Sequence, residues 1–188
     1  MPLEIELKLR VESHEPVRER LQSLGAAYLS RVLESNSIFD RPDGSLRKRG
    51  IGLRLRRTVS QDDGEVSATL TLKGPRLEGQ MKSREELEVL VDQAETTARI
   101  LETLGLVPIL RYQKRRESWE LSQCRVELDE PPHIGIFVEI EGPDESRIRA
   151  AQKSLGLDRI AHQQESYVRM LLEYCAERGI TDRIVDLP

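Results

Sequence analysis

The sequence has few of the residues that mark out most small enzymes. Its 188 residues include 2 cysteines, 3 histidines, 1 tryptophan, 2 phenylalanines and 4 tyrosines. Cys124 and Cys175 have no CxxC or Cys/His spacing, which excludes a zinc ribbon or finger. A reducing cytosol disfavours a disulfide between them. His14, His133 and His162 are scattered and suggest no metal cluster. No apolar run approaches the ~20 residues needed to cross a bilayer, which argues against a membrane partner. The opening Met1-Pro2-Leu3-Glu4-Ile5-Glu6 is not a basic-then-apolar leader, so the sequence predicts a cytoplasmic protein. The glycine-rich phosphate loops GxxxxGK[ST] and GxGxxG are absent. A formal charge of −4 disfavours a nucleic-acid backbone, and scarce aromatics leave little base stacking.

Charge is abundant instead, at 33% of residues, and it alternates with apolar positions. Side chains two apart on a strand share a face. Period-two alternation predicts strands over 3–10, 52–58, 67–73, 84–91, 114–121, 125–129 and 136–141, with a short one at 37–39. Helical spacing predicts helices over 15–24, 93–104, 145–155 and 164–178, with Ser13 and Asp144 as caps and glycines as stops. Three of the helices share a Leu-Gly ending, at Leu24-Gly25, Leu104-Gly105 and Leu155-Gly156. Each half then closes on an acidic strand, Glu86-Leu87-Glu88 echoing Glu139-Ile140-Glu141, which predicts a pseudo-twofold internal repeat. One domain over residues 1–178 follows, with a patternless tail over 179–188.

The polar strand faces carry Glu4, Glu6, Glu86, Glu88, Glu127, Asp129, Glu139 and Glu141 together with Lys8, Arg54, Arg56, Lys73, Arg84, Lys114 and Arg116. The opposite faces are largely apolar and need covering by the amphipathic helices. Curling such a sheet with its helices outside puts the charges inside a barrel. Charge in a confined interior must be paired or liganded. A metal-bound polyphosphate uses both signs, because Mg²⁺ and Mn²⁺ prefer carboxylate oxygens and phosphate prefers arginine forks and lysine. Arg115 and Arg116 are adjacent and face opposite sides, so one at most reaches a ligand. Arg47-Lys48-Arg49 reads as a solvated turn or a tunnel rim, and Trp119 and Phe137 as packing residues.

The ordered blocks Glu4-Ile5-Glu6-Leu7-Lys8, Ile38-Phe39-Asp40, Leu53-Arg54-Leu55-Arg56, Thr71-Leu72-Lys73, Arg84 to Glu88, Lys114 with Arg116, Glu127-Leu128-Asp129, Phe137 to Glu141 and Ser166-Tyr167 resemble the CYTH proteins, also called triphosphate tunnel metalloenzymes, over about residues 1 to 175. The resemblance implies an α+β fold, an eight-stranded antiparallel tunnel that binds a triphosphate with Mg²⁺ or Mn²⁺. It implies that Glu4, Glu6, Glu139 and Glu141 hold metal, and that Lys8, Arg54, Arg56, Lys73, Arg84, Lys114 and Arg116 contact phosphate. Glu86, Glu88 and Glu127 become further tunnel acids. Asp129, as a metal or base-assisting carboxylate near the reacting phosphorus, joins Lys73 and Arg116 as the catalytic set. The run Lys73 to Gly79 followed by Lys82 to Glu86 resembles the class IV adenylate cyclase branch in particular. That branch implies ATP cyclisation to cyclic AMP and pyrophosphate. Hydrolysis of a triphosphate, silent polyphosphate or nucleotide binding, and an interaction module with exposed charged sheets are the alternatives. The partner is a small triphosphate, and a homodimer stays open.

Overall fold

The computed structural model describes residues 3–75 and 82–187, and for residues 3, 4, 82 and 83 the backbone alone. The chain order is β1 (Leu3–Val11), α1 (Glu15–Ser23), β2 (Ala27–Asp40), α2 (Ser45–Lys48), β3 (Gly52–Ser60), β4 (Val66–Lys73), β5 (Lys82–Leu90), α3 (Ala94–Thr103), β6 (Val107–Leu121), β7 (Cys124–Glu130), β8 (Ile136–Glu141), α4 (Glu145–Ser154), α5 (Tyr167–Arg178) and β9 (Ile184–Val185). None of the described helices is long and apolar enough to cross a membrane.

The first eight strands pair antiparallel in the order β2-β3-β4-β5-β1-β8-β7-β6. β2 also pairs with β6, from Ala27↔Glu120 to Asp40↔Val107, so the ladder returns to its start. This closure removes the two edges that β2 and β6 would otherwise present. Exchanging β1–β4 for β5–β8 turns the strand order into its own reverse, so the expected twofold repeat is present in the topology. The counterpart of β5 in that exchange is β1, not β8. The strand of Glu86 and Glu88 therefore corresponds to the strand of Glu4 and Glu6 rather than to that of Glu139 and Glu141.

Four expectations need correction. The strands at 37–39 and 114–121 are the ends of two much longer strands, β2 and β6. Their mutual pairing overrides the broken alternation of residues 27–36 and 107–113. α5 starts at Tyr167 rather than at 164, because the Ser166 side chain accepts the Arg169 N–H and fixes the cap there. The cap of α1 is His14, with Ser13 Oγ accepting the Glu15 N–H at 3.1 Å. Asp144 caps α4 as expected, accepting the Arg147 N–H. The tail is not patternless in space, since β9 runs parallel to β6 at Arg111↔Ile184 and buries Val185.

The outer faces make the core. Leu7 and Leu9 of β1, Val126 and Leu128 of β7, and Val138 and Ile140 of β8 pack under Val17 and Leu21 of α1 and Ile148 and Ala151 of α4. Trp119 joins this cluster as a packing residue. α3 covers the other half through Leu101 on Phe39, Leu53 and Leu55. α5 is placed differently: Tyr167, Leu171 and Cys175 pack with Ile38, Leu110, Tyr112 and Phe137. Its lead-in borders β1 where β5 leaves it, with Leu9 bridging His162 and the Gln163 N–H donating to the Lys8 carbonyl at 2.8 Å. Both cysteines are free and buried.

Charge also fastens α1 outside. Glu117 accepts from Arg18 Nε at 3.0 Å, Arg31 Nη2 at 2.6 Å and Trp119 Nε1 at 2.8 Å. Burial pushes the Glu117 carboxyl up, but the hydrogen bonds from Arg18, Arg31 and Trp119 outweigh it and bring it from 4.5 to about 2. The unfolded chain then takes up this proton first. The stabilisation is complete above pH 4.5 and disappears as pH falls through about 2. Glu117→Gln is expected to flatten stability against pH across that window, read by urea unfolding at several pH values. Leu21→Ala, at a fully buried position, is expected to cost about 2–5 kcal/mol by the same measurement. Leu24→Ala, on the exposed end of the same helix, should stay within about 0.5 kcal/mol.

Candidate functional site

Closing the ladder turns the charged faces toward one another around a cavity of about 640 Å³. Strand registers place the charges. Lys8 lies opposite Glu139 and Glu6 opposite Glu141 across β1–β8. Arg116 lies opposite Asp129 across β6–β7, Lys73 opposite Glu86 and Thr71 opposite Glu88 across β4–β5. Of the site residues anticipated from the sequence, Glu6, Lys8, Arg54, Arg56, Lys73, Arg84, Glu86, Glu88, Lys114, Arg116, Glu127, Glu139 and Glu141 all line the cavity. Arg115 points away and pairs with Glu130 at 3.4 Å. The Glu4 side chain falls outside the described residues, as does the stretch 76–81 within the run that resembles the cyclase branch.

Asp129 is placed one layer deeper than the resemblance implies. It is fully buried and is not in the cavity wall. Its carboxylate accepts from Lys114 Nζ at 3.0 Å, Arg116 Nε at 2.7 Å and Nη2 at 2.6 Å, and the Tyr167 hydroxyl at 3.0 Å. Burial pulls the Lys114 ammonium down, helped by neighbouring Arg116. Burial also opposes charge on Arg116, but Asp129, Glu127 and Glu34 hold its guanidinium well above the ordinary value. Burial and then Asp129 push the Tyr167 hydroxyl well up, so it remains a donor. Lys8 Nζ stands 3.6 Å above the Tyr167 ring and 3.1 Å from Glu139 Oε1.

A second cluster occupies the wall formed by the first half of the chain. Lys73 Nζ meets Glu86 Oε2 at 2.6 Å. Arg54 Nη2 lies 3.9 Å from both Glu86 and Glu88, and Thr71 donates to Glu88 at 2.7 Å. Burial, followed by the proximity of Arg56, lowers the Arg54 guanidinium. The Nε–H groups of Arg54 and Arg56 are buried and have no acceptor. Among the described residues, cationic side chains outnumber acidic ones in the wall.

Glu34 and Arg125 have no place in the sequence reading, and Asp40 and Arg47 stand outside its site set. Glu34 is buried behind the wall and pairs with Arg56 and Lys114. It belongs to the part of β2 that alternation did not reveal. Arg125, Arg47 and Asp40 line the cavity. Asp40 is buried and accepts the backbone N–H groups of Arg41, Leu46 and Arg47 at the start of α2. It thereby fixes the basic run Arg47-Lys48-Arg49, and Arg47 makes that run a tunnel rim. The signal for Arg125 was its place two residues before Glu127 on the same strand.

The donors suit a hard cation: the described wall offers carboxylates and no histidine or cysteine. Glu6, Glu139 and Glu141 share the β1–β8 seam. Among the described residues no three acidic, histidine or cysteine side chains stand close enough to hold an ion unaided. Glu139 is shared between Lys8 and Arg116, the latter at 2.7 Å. The residues fit a cation that arrives with an anion able to draw those two side chains away.

Fold and site together define a charge-lined antiparallel tunnel. The CYTH domain matches residues 2–169, and the chain belongs to that family. A Methanocaldococcus jannaschii protein provisionally named an adenylate cyclase is 27% identical over 74% of this chain and 76% of its own length. Among solved structures, the PH1819 protein of Pyrococcus horikoshii superposes with a TM-score of 0.79 at 24% identity, covering 91% of this chain and 99% of its own. A Hippeastrum protein provisionally named an adenylyl cyclase, and described as having a dominant triphosphatase activity, gives 0.70 at 21% identity over 91% and 96%.

The network around Asp129 has a measurable consequence. Asp129→Ala strips the counter-charge from Lys114 and Arg116 and is expected to cost about 3–5 kcal/mol in urea unfolding. Tyr167→Phe removes one hydrogen bond and should cost about 1 kcal/mol.

Proposed function

We propose that the chain is a divalent-metal-dependent enzyme that draws a triphosphate into this tunnel. The observation that carries this reading is a cavity wall on which Lys8, Arg54, Arg56, Lys73, Arg84, Lys114 and Arg116 converge from five strands. A triphosphate brings roughly four negative charges, so several cations must converge on it. Lys8, Arg54, Arg56, Arg84 and Lys114 grip the non-reacting oxygens. Lys73 and Arg116 face the charge that develops as a phosphoryl bond breaks. Asp129, behind the wall, keeps Arg116 and Lys114 aimed. Glu4, Glu6, Glu139 and Glu141 would hold Mg²⁺ or Mn²⁺, which neutralises phosphate oxygens and helps align the reacting groups.

The name of the Methanocaldococcus relative supports ATP as substrate. The ribose 3′-hydroxyl then attacks the α-phosphorus and gives its proton to solvent, the bond from the α-phosphorus to the oxygen bridging it to the β-phosphorus breaks, and cyclic AMP and pyrophosphate are released. The Hippeastrum protein's triphosphatase activity supports a second reading, in which water attacks the terminal phosphorus and loses a proton to solvent, the bond from that phosphorus to its bridging oxygen breaks, and phosphate and the shortened chain are released. Both need the same grip, and positioning of the nucleophile decides between them.

Phosphorus NMR of ATP, tripolyphosphate and thiamine triphosphate with Mg²⁺ or Mn²⁺ reads cyclic AMP, pyrophosphate and phosphate separately. Turnover of at least one, abolished by a chelator, is expected. Glu4→Ala and Lys73→Ala should each lower it by about 10²-fold. Silence on all three with tight binding would make the protein a sensor. Full activity in Glu4→Ala would remove the metal assignment.

A further inference from the structure

Glu34 has no part in the resemblance or in the reaction above, yet it is only 2% exposed. Its two oxygens are divided between cations of different strands. Oε1 faces Arg56 Nη1 at 3.3 Å and Arg116 Nε at 3.8 Å. Oε2 faces Lys114 Nζ at 3.4 Å and accepts from the Asn36 amide at 3.4 Å. The register explains this reach. β2 is the seam of the barrel, pairing with β3 at Asn36↔Arg56 and with β6 at Glu34↔Lys114 and Val32↔Arg116. One carboxylate thus ties a cation from the first half of the chain to two from the second.

Arg56, Lys114 and Arg116 line the cavity, whereas Glu34 stands behind them. It occupies none of the space a ligand would take. Burial raises its carboxyl, but Lys114, Arg56, Arg116 and Arg54 together bring it well below the usual carboxylate range. Three like charges facing one cavity repel each other and gain solvation by splaying outward. A fixed interior counter-charge removes that tendency without filling the cavity. Arg56 shows the result: one terminal nitrogen is held by Glu34, and its Nε–H stays buried without an acceptor.

We propose that Glu34 is a positioning residue that sets Arg56, Lys114 and Arg116 as one grip for a phosphate chain. The ligand class rests on the triphosphate reading above, and the positioning does not. Two measurements separate them. Arginine Nε–H relaxation by nitrogen-15 NMR reports the order of Arg56 and Arg116 without any ligand, and calorimetry reports the binding of tripolyphosphate. Glu34→Gln keeps the shape and removes the charge; Glu34→Asp keeps the charge on a shorter stem. In Glu34→Gln the Nε–H order of both arginines is expected to fall, with tripolyphosphate bound about tenfold more weakly. Glu34→Asp should restore part of both, and it carries the test should the glutamine variant fail to fold. Arginine signals as ordered as in the wild type would overturn the proposal. So would tripolyphosphate binding that is unchanged or tighter once those signals have loosened. Should the wild type bind no tripolyphosphate, the triphosphate reading falls, and the arginine signals alone decide whether Glu34 positions them.

Discussion

Charge taken out of water has to be neutralised where it stands, and the interior of this barrel is arranged around that requirement. The effective penalty for burying an ion is several kcal/mol, which mutual attraction offsets only with close geometry and satisfied hydrogen bonds. Here Lys114 is 3% exposed between Glu34 and Asp129, and Arg116 reaches Asp129 and Glu139 within 2.7 Å. Every strand that contributes a cation to this cluster is next to a strand that contributes an acid. The pleat does the sorting, since alternation sends the apolar side chains outward under α1, α3 and α4 and turns the charged ones toward one another.

Barrel closure extends the same pairing. Without the β2–β6 pairing Glu34 still has Arg56 of β3 and Lys114 still has Asp129 of β7; closure adds the Glu34–Lys114 pair across the seam. The seam is one of the pairings between the two topological halves, and there ion pairs join them as well as backbone hydrogen bonds. α5 adds a lid of different chemistry. Its Tyr167 gives a hydroxyl to Asp129 and a ring face to Lys8, a polar contact and a cation–π contact from one side chain.

Strict alternation carries most of this in the sequence. Leu53-Arg54-Leu55-Arg56 and Val138-Glu139-Ile140-Glu141 declare both the strand and the face, and their charged members all reach the cavity. What stayed hidden has local causes. In β2, Ala27-Tyr28-Leu29 blurs the period, because the exposed start of the strand packs little. Glu34 was lost with that strand. Asp129 was visible as a residue but not as a depth, since alternation fixes the face of a strand and not the distance from a cavity that several strands enclose. The Ile184–Val185 pairing was invisible because two residues carry no period at all.

A wall built of paired ions treats all phosphate chains alike. Its fields act on the charge of the ligand and fall off within the enclosed space, so they recognise the phosphoryl groups and not what is attached to them. Selectivity for an attached group must then come from shape and apolar contact. The described wall has few residues that can supply it: Ile38, Leu53, Ile109 and Val168 are among them, beside the aromatic rings of Phe39, Tyr112 and Tyr167. Ile38, Ile109, Tyr112, Tyr167 and Val168 belong to the cluster that α5 packs into, so the helix that closes the cavity is also the element able to meet a nucleoside or another organic group. On the triphosphate reading, grip therefore falls to the strands and selectivity to the strand ends together with α5.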